Sequence, residues 1–384
     1  MVFEVLPYLT DRLQFISILG FESDKLPIKH GVPQGSVLGP LLFLIYINDL
    51  CNAIDHSETY LFADDTNLLN ISSNLKHLQK QMNIDLKCLC LWLLANKIAL
   101  NKTKTELIFF KKPNTEIPFN IIKINGMKLC PSKCIKYLGI YLDEHLNGSA
   151  HINTLLPKLR RANGMLAKIR HYTSPDQVKS IYYAIFASHM TYGCQVWGIS
   201  FNNTCIRKIQ TLQNNALRII TFAPDFRDHV TPLYANQNIL KIKDLISLKN
   251  LQLIHDYFKN KLPSTFNDFY RLEEHEDSQN IEDFRLTKIP TRYRECELTE
   301  PDMQPQNHKS IYKFRNEIIA GQLCEPKYNS VKYGRNSLKL SSILLWNNFN
   351  KEFPNTDFLS LSRVSFRNLI IKFYMDGYKD NSME

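Results

Sequence analysis

Asp64 and Asp65 stand side by side in LFADDTNLL, between two short apolar runs. Adjacent carboxylates offer several hard oxygen ligands, the donors that Mg²⁺ or Mn²⁺ prefers and that phosphoryl chemistry uses. A hairpin tip suits such a pair. The turn can aim both side chains at a shared point, while flanking strands at Tyr60 to Phe62 and Leu68 to Leu69 root them in a core. Adjacent aspartates are also common in ordinary turns, so the pair alone decides nothing. A two-cation site needs bridging carboxylates, because two metals about 4 Å apart repel one another, and it normally takes one acid from elsewhere in the chain.

The elements that must hold this turn follow from the spacing of apolar residues. LPIKHGVPQGS is a strand edge entering a Gly and Pro loop. Pro40 then fits the first turn of a helix through LLFLIYINDL, where its missing N–H costs nothing. After the hairpin, Ser72 or Ser73 can cap a helix whose Leu75, Leu78, Met82, Leu86, Leu89 and Trp92/Leu93 share one face. TELIFF and CIKYLGIYLD are further strands, which makes residues 1–143 an α+β unit with helices on one face of a small antiparallel sheet. Residues 144–270 turn helical: Leu155, Leu159, Ala162, Leu166 and Ile169 form an apolar face beside a basic stripe of Lys158, Arg161 and Lys168. A solvated helix face is the plain alternative for that stripe. Ser174 and Pro175 open the next helix, and Tyr182, Tyr183, Phe186 and Trp197 are expected in the core, as are His189 and His255. Residues 271–310, with EEHED and several prolines, are expected as a polar linker, and 311–384 as a small C-terminal helical module.

With 47 Lys and Arg against 37 Asp and Glu, the chain carries a net charge of +10, which favours a polyanionic partner. Nine irregularly spaced cysteines suggest reduced thiols rather than a secreted disulfide framework, and Cys130 with Cys134 lacks the second ligand pair that zinc needs. MVFEVLPYLTDRLQ has neither the basic leader nor the cleavage site of a signal peptide, and the Val37–Ile47 run is too short to cross a bilayer. The expectation is an intracellular protein with no membrane partner, nucleus or cytoplasm left open. No HxxxH, paired CxxC or nucleophilic triad competes with the carboxylate pair.

GVPQGSVLGPLLFLIYINDL, YLFADD, LNKTKTELIFF and KYLGIYLD follow one another in this order. Together they resemble the palm of reverse transcriptases from non-LTR (LINE-type, jockey-like) retrotransposons. The resemblance starts at YLTDRLQF and runs more faintly to GRNSLKLSSILLWNNF. It implies RNA-directed DNA polymerisation by two-metal nucleotidyl transfer, with Mg²⁺ (or Mn²⁺) as cofactor and RNA template, DNA primer and dNTP as partners. By the same resemblance Asp64 is the metal ligand and Asp65 a lesser contributor. Gly31, Pro33, Gln34, Gly35 and Ser36 form the loop against the incoming nucleotide and template, where glycines let backbone approach a base pair and the Gln34 amide can hydrogen-bond. Lys104 would assist the leaving pyrophosphate, or else is a solvated turn lysine. Tyr137, Leu138 and Gly139 would grip the primer end. Lys158, Arg161 and Lys168 become a thumb stripe following duplex phosphates without reading sequence.

In the resembled family a further metal ligand lies in a segment resembling DxSKAFD, ahead of the stretch matched by YLTDRLQF. Met1 falls just before that stretch. The expectation is therefore an N-terminally truncated reverse transcriptase fragment without that acid or the fingers, holding Mg²⁺ weakly and not extending a primer by itself. Two other classes stay open: a catalytically inactive nucleic-acid-binding remnant that uses the stripe and the primer hairpin, and a helical interaction module built on the C-terminal helices.

Overall fold

A computed structural model of the chain describes residues 9–28, 31–33, 35–117, 122–198, 203–223, 229–266, 338–353 and 356–380. The chain divides into two compact units, Met1–Lys133 and Cys134–Glu384. The expected linker, residues 271–310, lies outside the described residues, as does the predicted helical stretch at 311–321.

The first unit opens with a bent ribbon in which β1 (Leu13–Gln14) pairs with β4 (Leu26–Pro27) and β2 (Ser17–Ile18) with β3 (Phe21–Glu22). Helix α1 (Leu38–Ile47) comes after it, with Pro40 in its first turn, and the chain tightens into a 3₁₀ turn over Asn48–Ala53. The hairpin of β5 (Glu58–Phe62) and β6 (Asp65–Leu69) is next, then α2 (Leu75–Ala95) and the short pair β7 (Lys123–Ile124) and β8 (Met127–Lys128). Leu86, Leu89 and Leu93 of α2 meet Ile47, Leu50, Ile54, Ile122 and Ile124 in a common core, and Leu61 and Leu68 of the hairpin pack on it. Side chains alternate along β5, which sends Leu61 inward and Tyr60 and Phe62 outward.

Two expectations are corrected in this unit. Asn74, rather than Ser72 or Ser73, caps α2: its Oδ1 accepts from the amides of Lys76 (2.9 Å) and His77 (3.4 Å), while Ser72 Oγ accepts from Asn74 N. TELIFF is not a strand, because within it only Leu107 bridges, to Pro131. Proline has no N–H to donate, so a ladder cannot run on through that position. The described strands form five separate two-stranded antiparallel ladders rather than one sheet. The mixed helix and small-sheet class stands.

The second unit begins with the hairpin of β9 (Cys134–Tyr137) and β10 (Ile140–Asp143). Asp143 closes its exit by accepting from the amides of His145, Asn147 and Gly148, each at 3.1 Å. Then come α3 (Ser149–Ile169), α4 (Pro175–Tyr182), a π turn over Tyr183–Ala187, α5 (Ser188–Thr191), α6 (Cys194–Trp197), α7 (Asn203–Ile220), α8 (Thr231–Gln237), α9 (Ile242–Phe258), α10 (Leu338–Glu352) and α11 (Arg363–Asp380). Ser174 and Gln177 form the capping box that opens α4. Leu159, Leu166, Phe186, Trp197, Ile209, Leu251, Trp346 and Phe366 belong to one core, so α10 and α11 pack with the earlier helices. Arg363 pairs with Asp256 at 2.9 Å, and His255, stacked on Phe366 at 4.5 Å, bonds the Leu361 carbonyl. Tyr182, Phe186, Trp197 and His255 are buried as expected. Tyr183 and His189 are exposed instead: the buried face runs through Val178, Tyr182, Phe186 and Met190, and each of the two stands one residue off it.

Candidate metal and nucleic-acid site

Phe62 pairs directly with Asp65, leaving Ala63 and Asp64 as a two-residue loop. Ala63 takes a φ of 51°, the left-handed value that such a hairpin turn asks of its first central residue. For a residue other than glycine this costs about 1 kcal/mol, so the turn must be held from below. The hold comes from Asp85, a buried carboxylate on α2, which accepts from His56 N at 3.2 Å and Ser57 Oγ at 2.5 Å at the base of the hairpin. Asn70 closes the same base by donating to the His56 carbonyl. Asp64 and Asp65 are both exposed at the far end.

That arrangement fits the chemistry of a hard cation in its donors: two carboxylates, adjacent, on a fixed turn, open to water. Among the described residues no third His, Cys, Asp or Glu gathers with them into a metal-binding group. The pair offers oxygen donors to a divalent cation.

Of the expected nucleotide loop, Gly31, Pro33, Gly35 and Ser36 are described, and Gln34 lies outside the described residues. Gly31 and Gly35 have φ of 82° and 83°, which glycine adopts freely. Ser36 Oγ donates to the Pro33 carbonyl at 2.7 Å and accepts from Gly39 N at 3.1 Å, tying the loop to the start of α1. Arg12 reaches across from the ribbon to the Gly31 carbonyl, joining the YLTDRLQF stretch to the loop. Lys104 stands exposed on a turn built by Asn101, whose Oδ1 accepts from the amides of Thr103 and Lys104. Among the described residues no hydrogen bond or ion pair joins Lys104 to the Asp64 turn.

In the second unit Leu138 and Gly139 form the two-residue turn of the β9–β10 hairpin, both at positive φ (44° and 81°). Tyr192 braces it, donating from its hydroxyl to the Leu138 carbonyl at 2.6 Å, and a Cβ on Gly139 would come within 3.2 Å of the tyrosine ring. Behind Tyr192, its own carbonyl accepts from Trp197 Nε1 at 2.8 Å, and His151 lies 5.5 Å from the Trp197 ring. Tyr137, Leu138 and Gly139 are thus brought together on a held tip. Tyr192 and Gly193, in TYGCQVWG, were not singled out from the sequence, although a glycine next to a tyrosine was a usable sign of close packing; a Cβ at Gly193 would clash with Ile140. On this geometry Tyr192→Phe should leave the core intact and speed amide exchange at Leu138 to Ile140. Unchanged exchange would show that the turn needs no brace.

Lys158, Arg161 and Lys168 lie exposed along α3, opposite buried Leu155, Leu159, Ala162 and Leu166. The exposed Arg160 adjoins them.

His151 accepts from Tyr141 N through Nδ1 at 3.4 Å, and burial, aided by the charge of Lys158, holds its pKa below the ordinary 6.5. Burial lowers His255 likewise. Groups whose pKa falls on folding take up protons first in the unfolded chain. Stability is therefore full above about pH 6.5 and declines as acidification passes below that value. Thermal melts should show this loss, and it should shrink in His151→Gln; a flat profile between pH 7.5 and 5.5 would contradict the burial of both rings.

Residues 4–142 match the family model described as reverse transcriptase (RNA-dependent DNA polymerase). This segment, which holds the Asp64 turn, is similar to the reverse transcriptases of jockey-like non-LTR elements. Among its relatives is the RNA-directed DNA polymerase from mobile element jockey of Drosophila melanogaster, 30% identical over 228 residues, 56% of this chain and 24% of the relative. The probable RNA-directed DNA polymerase from transposon X-element of the same fly is 30% identical over 272 residues, 68% of this chain and 29% of that protein. The jockey polymerase of Drosophila funebris is 32% identical over 216 residues, 53% of this chain and 23% of the relative. The chain thus spans about a quarter of the length of these curated relatives. No solved structure matches. Among the described residues, no helix is long and apolar enough to cross a membrane.

Proposed function

We propose that this chain serves RNA-directed DNA polymerisation, with Asp64 as its principal metal ligand and Asp65 as a weaker one. The reading rests above all on the exposed carboxylate pair at a two-residue hairpin tip, rooted by buried Asp85, within the matched reverse transcriptase segment. Divalent cations, when bound, would activate a primer hydroxyl and neutralise the departing pyrophosphate.

The chain's own groups then divide the remaining work. The loop of Gly31, Pro33, Gln34, Gly35 and Ser36 lies against the incoming dNTP and template base. Lys104 offers a cation, and a proton, to the leaving pyrophosphate. The Tyr137, Leu138 and Gly139 tip packs on the primer sugar, and Gly139 admits close approach. Lys158, Arg161 and Lys168 neutralise phosphates of the RNA–DNA duplex. In this assignment residues 1–143 form the partial palm and residues 144–270 a thumb-like region.

Lys104 gives the test of the assignment within the first unit. In the polymerase that carries this segment, Lys104→Ala should slow single-nucleotide addition by about a hundredfold, the usual share of one positioned proton donor, with primer–template affinity unchanged. An unchanged rate would return Lys104 to a solvated turn.

A further inference from the structure

Helix α7 carries Arg207, Gln210, Asn214 and Arg218 at successive turns along one side, and His229, Thr231, Lys241 and Lys243 face them from the starts of α8 and α9. Between these elements lies a cleft of about 580 Å³. Its floor is a closed polar network. Gln210 Nε2 donates to the Tyr234 hydroxyl and to Asn214 Oδ1, the tyrosine hydroxyl donates to the same Oδ1, all at 2.8 Å, and Gln210 Oε1 accepts from Ile242 N at 3.3 Å. Tyr234 is fully buried. A floor whose groups satisfy one another keeps its shape without a ligand, and shape retained in advance lowers the cost of binding.

The walls are strongly basic. Two arginines, two lysines and His229 stand against a single acid, Asp244. That carboxylate accepts a hydrogen bond from the Tyr378 hydroxyl, and burial pushes its pKa up, which weakens it as a counterion. Lys241 is held by Thr231 Oγ1 at 3.0 Å and lies over the rings of Tyr378 and Tyr234 at 4.7 and 5.8 Å. Burial lowers its pKa, so an anion entering the cleft would relieve the cost of its charge. Among the described residues no ion pair within 4 Å links Arg207, Lys241 or Lys243 to a carboxylate.

We propose that this cleft is a binding site for phosphate groups, distinct from the stripe on α3. Phosphate suits it better than carboxylate. A group with several charged oxygens can take guanidinium forks from one wall and ammonium donors from the other at once. Either a polynucleotide or a free polyphosphate would supply that chemistry.

Lysine acetylation of the whole 384-residue chain, read by mass spectrometry, tests the site with three probes: single-stranded RNA, tripolyphosphate and polyglutamate. Protection of Lys243 and Lys241 by a phosphate probe, weakened in the exposed-site variant Arg207→Gln, is the expected result. Protection by RNA alone makes the ligand a polynucleotide; protection by tripolyphosphate, alone or with RNA, makes it polyphosphate in general, and either upholds the site. No protection by either phosphate probe, or equal protection by polyglutamate, would overturn it. Lys158 and Lys168 are read in the same digest, so failure of the α3 stripe and failure of the cleft are separate results. If RNA is the ligand, Lys243→Gln should also flatten the dependence of log affinity on log salt by about 0.7 for the lost contact; an unchanged slope would remove Lys243 from it.

Discussion

Asp64→Asn should abolish primer extension by a polymerase that carries this segment, and Asp65→Asn should leave a slower enzyme. The substitution keeps the shape of the side chain and removes its charge. It acts at an exposed tip that carries no packing, so circular dichroism and the melting temperature should stay as they are. In the proposed role the loss would be that of a metal ligand, and metal charge stabilisation in phosphoryl transfer amounts to several kcal/mol. At about 1.36 kcal/mol per tenfold, the rate falls by about a thousandfold or more. Asp65 sits one residue further on, within the ladder and paired with Phe62, so its carboxylate can support the cation without being its main anchor. Single-nucleotide addition on an RNA template measures both variants. Full activity in Asp64→Asn would remove that residue from the site.

The second large effect concerns the duplex. Replacing Lys158, Arg161 and Lys168 together with Gln should flatten the slope of log affinity against log salt by roughly two to three units, at about 0.9 per phosphate contact. All three side chains are exposed on α3, away from its buried face, so the helix should keep its place. Titration of RNA–DNA hybrid by fluorescence anisotropy over a range of salt concentrations gives the slope directly. An unchanged slope would make the stripe an ordinary solvated face.

The parts of this fold that could be read from sequence are those set by neighbours along the chain. Two apolar runs separated by a two-residue bend specify the Asp64 hairpin, because alternation and turn length together fix register. The strand composition of CIKYLGIYLD was legible in the same way, while its turn at Leu138 and Gly139 came only from the family resemblance. Helical spacing placed the buried faces of α2 and α3, and a serine followed by proline marked the start of α4. The parts that could not be read depend on distant partners. Asp85 lies on an amphipathic helix, where an acid reads as solvated, yet it is buried because His56 and Ser57 bring hydrogen bonds to it from the base of the hairpin. TELIFF has strand-like composition, but a strand exists only where a neighbour supplies a ladder, and Pro131 does not. Tyr192 braces a turn 54 residues earlier in the chain, a relation that no local pattern carries.

Titration of the 384-residue chain with Mn²⁺, monitored by electron paramagnetic resonance and water proton relaxation, addresses the central claim that the Asp64 turn is a metal site. A weakly held, strongly hydrated Mn²⁺ is expected on the native chain, with affinity reduced at least about tenfold in Asp64→Asn, the loss of about 1.4 kcal/mol of charge-assisted coordination, and reduced less in Asp65→Asn. Mn²⁺ that binds the Asp64→Asn chain as it binds the native one, or that binds neither, would contradict the account.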